Sequence, residues 1–195
     1  MKSFQILASA AVAVSLAACS SSGGDSDGDI DLPAEFSNLE DLLTRADAGS
    51  LNAADASLMS GTVDMTGAIG VGDVGDSGND EVIGNLSLSV DFNDGSVSGS
   101  ATGFDVYDSN GNQGDAISGT LTIAGAAGSV SGATFDADVD GMLVDGPDNI
   151  TVDGVIAGDF FDYNGDLATT GDFDATLTTS GGTENVSGGF AAIEN

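Results

Sequence analysis

The chain of 195 residues has no histidine, no tryptophan, one cysteine, two prolines and only two cationic side chains. Each shortage removes a class of chemistry. Without histidine there is no Ser-His-Asp or Cys-His relay and no His/Cys zinc site. Haem would lack an imidazole ligand and would find only Arg45 as a propionate partner. A single cysteine allows no intrachain disulfide. Lys2 and Arg45 stand against 32 Asp and Glu, for a formal net charge of -30. No basic surface exists to displace the counterions of a nucleic acid, and docking on anionic lipid is opposed electrostatically. Carboxylates alone can hydrolyse glycosides. No pair stands out among so many, so the chain reads as a non-enzyme, with a carboxylate-based hydrolase as the lesser alternative.

What remains is enough for one folded unit. Hydrophobic residues make up 41% of the chain, although 30 residues are glycine. The near-unopposed negative charge keeps such a surface soluble in a salty medium. The sharper alternative is a surface for a specific cation or a cation-rich partner.

The first residues have the grammar of an export signal. Met1-Lys2-Ser3 is a short positive start, and Phe4 to Ala18 is almost wholly apolar or small. That run is too short for a confident membrane span and fits the apolar region of a secretory leader. It closes on Leu16-Ala17-Ala18-Cys19, which resembles the bacterial lipobox. The resemblance implies cleavage after residue 18 and lipidation of the Cys19 thiol, with attachment to a bilayer through two or three acyl chains. Ser20, rather than Asp, follows the cysteine, which implies the outer membrane of a Gram-negative cell, with display at its surface as an expectation. Residues 19–32 are Ser, Gly and Asp-rich and read as a flexible tether.

Residues 33–59 read as a short helical segment. Ser37-Asn38-Leu39-Glu40 has capping-box form. Phe36, Leu39, Leu42, Leu43 and Ala46 share one side at helical spacing, and Gly49 is a stop signal. Asn52 to Leu58 could start a second short turn. The apolar stripe is expected to pack on the following domain or to cover one end of it.

From residue 60 to 195 the period changes to two. Val63, Met65, Ile69 and Val71 alternate with polar or small residues. Leu86, Leu88, Val90 and Phe92 do the same and lead into Asn93-Asp94-Gly95, where the chain can reverse. Runs on Val97–Ala101, Ile117–Ile123, Ala133–Val139, Ile150–Phe160, Phe173–Leu177 and Val186–Ala192 bring the count to about eight strands. Gly72–Asn79 and Gly103–Asp115 read as loops. No helical crossover intervenes, so the sheet is antiparallel. The expected fold is all-β: an eight-stranded antiparallel barrel, filled by its own side chains and preceded by a short helical segment. A β-sandwich is the alternative. Inward glycines at Gly67, Gly99, Gly119, Gly132, Gly154, Gly171 and Gly188 suit the curvature of a small barrel.

Four segments in order are similar to one family. Leu58-Met59-Ser60-Gly61-Thr62-Val63-Asp64-Met65-Thr66-Gly67-Ala68 resembles the first barrel strand of the transferrin-binding protein B-like surface lipoproteins. Val90-Asp91-Phe92 with Gly95-Ser96-Val97-Ser98-Gly99 resembles their next hairpin. Gly158-Asp159-Phe160-Phe161 through Ala168 to Gly171-Asp172-Phe173 is similar to their "G-x-F-F … A … G-x-F" segment. Val186-Ser187-Gly188-Gly189-Phe190-Ala191-Ala192 is similar to their closing strand. The resemblance implies an eight-stranded barrel on the outer membrane, in a family whose members bind host iron carriers, haemoglobin or complement regulators. No ligand residue of the family carries over to this chain.

Candidate sites follow from loops and carboxylates. Asp136-x-Asp138-x-Asp140-Gly141 has the opening of an EF-hand loop, a weak calcium candidate, with Pro147 where the twelfth-position Glu would stand. The same spacing is the wet face of an alternating strand. Tyr107, Asp108 and Asn110 lie in one turn-rich stretch, Tyr163 and Asn164 in another. Aromatic side chains dominate binding hot spots, so these five are the candidate ligand contacts. The reading is therefore a lipid-anchored barrel that binds a protein or small-solute ligand through loops at one end. A structural or adhesive envelope protein without a discrete ligand is the alternative.

Overall fold

A computed structural model describes residues 36–74, 80–108 and 111–195. The leader, Cys19, the tether and Asn110 lie outside the described residues. A helix α1, Ser37–Asp47, is followed by ten strands: β1 Asn52–Ala53, β2 Thr62–Val74, β3 Asp80–Asp91, β4 Ser96–Tyr107, β5 Gln113–Gly125, β6 Val130–Ser131, β7 Thr134–Asp145, β8 Asp148–Tyr163, β9 Asp166–Thr179 and β10 Gly182–Glu194. Eight of them close in the order β2-β3-β4-β5-β7-β8-β9-β10, with β10 pairing back on β2. Every pairing is antiparallel. The fold is the expected eight-stranded barrel with a short helix, not a sandwich. The two-residue strands β1 and β6 lie outside the closed ring, on β8 and β7.

Alternation decides which way each side chain faces. On β7, Phe135, Ala137, Val139 and Leu143 are buried, while Thr134, Asp136, Asp138 and Asp140 are exposed. The same polarity runs round the ring, with Asp153, Asp172 and Asp174 also exposed. A lipid-embedded barrel wears an apolar band on its outside; this one has its apolar face within and carboxylates without. Among the described residues, no helix is long and apolar enough to cross a membrane.

The closure demands inward glycines. At the β10–β2 seam a Cβ on Gly67 would overlap the Ala191 carbonyl oxygen, and one on Gly188 would overlap that of Gly70. Gly99, Gly119, Gly154 and Gly171 are likewise packed against backbone of the facing strand. Gly132 is the exception. It has φ +65, has open space about it, and serves the β6–β7 turn rather than the barrel wall.

Strand β4 runs further than the alternation suggests. Gly103, at φ +64, makes a bulge where the β4–β5 register shifts between Thr102 and Phe104. One extra residue resets the period, so Ala101 and Phe104 both face inward three positions apart. The stretch 103–115 is therefore mostly strand, and its connection shrinks to 108–112. There Asp108 accepts hydrogen bonds from the Asn112 backbone N–H at 2.9 Å and from its side-chain amide. At the β3–β4 reversal, Gly95 takes φ +72. The Asn93 backbone N–H and then its side-chain amide hold the Asp91 carboxyl below the usual carboxylate range.

Helix α1 lies on the outer wall. Leu39 and Leu42 are buried against Ala68, Ala168 and Ala191, outward residues of β2, β9 and β10 that are small enough to let the helix approach. The helix starts one residue earlier than a Ser37 cap would place it. Phe36 occupies the cap position, no side-chain cap forms, and Ser37 is already helical. The contact of Phe36 with the apolar cluster accompanies that start. Gly49 ends the helix as expected, at φ +60. Its N–H bonds to the Ala46 carbonyl and that of Ser50 to Arg45, the Schellman pattern. Residues 52–59 divide into β1 and a turn at Asp55–Met59, which packs Ala54, Leu58 and Met59 against the barrel core.

Candidate functional site: the open end of the barrel

The two ends of the barrel are unlike. Phe92, Phe135, Phe160 and Phe190 converge at one. Phe160 stacks on Phe135 at 5.1 Å and meets the edge of Phe92 at 5.3 Å, and Phe135 meets Phe190 at 5.8 Å. Together with Ala54, Leu58 and Met59 these rings plug that end.

Toward the other end the packing opens. Val90 and Val97 are buried near the plugged end, while Val82 and Val106, at the far ends of the same strands, are half-buried. Ile156 and Phe160 on β8 are buried completely, whereas Ile150 is half-buried. The space left is a cavity of about 820 Å³. Ile117, Leu121, Leu143, Val152, Phe173 and Leu177 form its floor and walls. The expectation of a barrel filled by its own residues therefore holds for one half only. Eight staves enclose either a packed interior or room for one small ligand, and this barrel has some of each.

The mouth is acidic. Asp108, Asp115, Asp145 and Glu184 border the cavity, and all four are exposed. Three of them continue the inward alternation of their strands. Asp115 stands two positions before Ile117, Asp145 two after Leu143, and Glu184 two before Val186. The inward stripe thus changes from apolar to carboxylate as β5, β7 and β10 reach the opening. Alternation counted outward from the core would have found these three; attention to the tyrosines passed over them.

Asn110 lies outside the described residues, and the other four loop candidates do not form one site. Asp108 borders the cavity. Tyr107 belongs to the outer apolar cluster with Ile83 and is 4% exposed, so it is wall rather than lining. Tyr163 and Asn164 sit at the plugged end, where Asn164, at φ +60, and Gly165 make the tight β8–β9 turn. The Tyr163 hydroxyl donates to the Asp41 carboxylate at 2.8 Å, the Arg45 guanidinium lies 5.0 Å from the ring centre, and Arg45 donates to Asn164 at 3.4 Å. The Asp41 hydrogen bond first, then burial, pushes the Tyr163 phenol above its ordinary value. These contacts pin α1 to the wall. They are half-buried or exposed, and their role is docking the helix.

The calcium candidates are also dispersed. Asp136, Asp138 and Asp140 all point outward from β7 and are exposed. Alternate residues of one strand stand about 7 Å apart, too far for three monodentate carboxylates to converge on one ion. Among the described residues, no group of three or more His, Cys, Asp or Glu is placed to hold a metal.

Searches against family models, curated proteins and solved structures find no match to the chain.

Proposed function

We propose that the chain is a lipoprotein anchored in an outer membrane through Cys19, and that its barrel binds a small, largely apolar solute at the open end. The leader ending in Leu16-Ala17-Ala18-Cys19 and the likeness to transferrin-binding protein B-like surface lipoproteins support the anchor and the setting. The binding role is carried by one observation: a barrel plugged by four phenylalanines at one end keeps an apolar-walled cavity of about 820 Å³ at the other. Exposed apolar wall costs about 25 cal/mol per Å² relative to burial. A solute that covers the half-buried lining residues Val82, Val106, Ile150 and Leu177 recovers that free energy. The volume lies in the range of small-molecule sites, about 300–1,000 Å³.

The neutral dye N-phenyl-1-naphthylamine, whose emission rises in apolar surroundings, tests this. Saturable binding with one site per chain is expected. Leu177→Trp, which fills the cavity from a half-buried wall position, is expected to weaken it by about tenfold or more, a loss of about 1.4 kcal/mol. Met142→Trp, on the outer surface where Met142 is 55% exposed, leaves it unchanged. Dye binding that is absent, or equal in Leu177→Trp and the parent chain, contradicts the proposal.

A further inference from the structure

We infer that the solute is a cationic amphiphile, with an apolar chain and a positively charged head; the inference rests on the binding role proposed above. The floor and the mouth make separate demands. Leu121, Phe173 and Val152 offer only dispersion and burial, which select an apolar body. At the mouth Asp115, Asp145 and Glu184 occupy inward strand positions and Asp108 stands beside them. Among the described residues, no lysine or arginine borders the cavity. Arg45 is engaged on α1 with Asp41, Tyr163 and Asn164, beside the plugged end.

The head of an amphiphile whose chain fills the floor lies at the ring of carboxylates. There a carboxylate or phosphate head meets like charge from every charged group at the rim, a repulsion that neutral hydrogen-bond donors do not offset. An ammonium head meets several acceptors at once. Thr179, Thr183 and Gln113 at the same rim can accept further hydrogen bonds from a head that carries N–H groups, while a quaternary head is held by charge alone. The chemistry therefore rejects fatty acids and anionic lipids, and accepts alkylamines, quaternary ammonium amphiphiles or lipophilic amines.

The test compares three probes that share a dodecyl chain, each below its micelle concentration: dodecyltrimethylammonium, tetra(ethylene glycol) monododecyl ether and dodecanoate. Calorimetric titration of the folded chain is expected to show the cation binding about tenfold or more tighter than the neutral ether, and dodecanoate weaker than either. Because the mouth is solvent-exposed, the preference shrinks as salt rises from about 0.05 to 0.5 M. Asp115→Asn, Asp145→Asn and Glu184→Gln combined brings the ratio of cation to ether affinity near one.

The formal net charge of -30 also attracts cations to the outer surface. Leu177→Trp and, at the exposed rim, Thr179→Trp separate the two, since each obstructs the cavity and leaves the charge intact. Cation binding that survives both substitutions is surface association and overturns the inference. Ether binding with an equal or smaller affinity for the cation overturns the charge preference and leaves the cavity reading standing. Binding of none of the three overturns both.

Discussion

Phe160→Ala is expected to be among the most damaging single substitutions in the barrel, lowering stability by about 3–5 kcal/mol. Phe160 is fully buried and joins the stacked and edge-on ring contacts to Phe135 and Phe92. Truncation removes the ring's burial and leaves a hole that the closed staves cannot collapse around, because both neighbours of β8 hold it by a continuous ladder. The lost ring pairs add about 0.5–1.5 kcal/mol each. A domain of this size is stable by about 5–15 kcal/mol, so the change consumes a large share of the margin. Denaturant unfolding measures it. Met142→Ala, on the outer face of β7, is expected to stay within about 0.5 kcal/mol of the parent. A Phe160→Ala chain that loses less than about 1 kcal/mol would show that the plug is not the packed end of the barrel.

Gly67→Ala is expected to cost about 3 kcal/mol, at the upper side of what overpacking does. The added methyl would overlap the Ala191 carbonyl oxygen and sit 2.6 Å from the Ala192 Cα, both backbone of β10. A side chain can swing away from such a clash, whereas a backbone in a closed ladder has to carry the β2–β10 seam with it. Gly72→Ala is the matched control. It lies on the same strand and its Cβ would have nothing within 4 Å. There the smaller conformational freedom of alanine in the unfolded chain makes the change neutral or stabilising, by up to about 1 kcal/mol. Equal losses at the two positions in denaturant unfolding would mean that closure does not depend on the close approach at residue 67.

The strands were legible because a half-buried antiparallel stave writes its burial as strict alternation. Leu86, Leu88 and Val90 are inward and buried, and Ser87 and Ser89 face the other way. The far half of β4 was not legible, because the Gly103 bulge places Ala101 and Phe104 on one face with an odd spacing. The docking face for α1 left a fainter mark: Ala68, Ala168 and Ala191 stand at outward positions where this chain otherwise prefers Thr, Ser or Asp. The cavity was the least legible feature. It depends on which inward residues share a level, and level is a property of register between strands far apart in the chain. Once register is known, the pattern is in the residues. Phe92 falls just after β3, Phe160 late in β8, Phe190 in the second half of β10 and Phe135 early in β7, which antiparallel staves bring toward one end, while Val82, Ile150 and Asp145 fall at the other. The two tyrosines are poor markers of the site, since rarity in the composition carries no information about which wall or which end a residue occupies.

The open end is tested most directly by methyl resonances of the folded chain, followed while a dodecyl ether or dodecyltrimethylammonium is titrated below its micelle concentration. Val82, Val106, Ile117, Leu121, Leu143 and Ile150 line the cavity, and their signals are expected to shift together with one binding constant. Those of Val63, Val90 and Ile123, buried toward the plugged end, are expected to stay in place. Shifts scattered over the outer surface, or centred on the phenylalanine plug, would contradict a binding site at the mouth of the barrel.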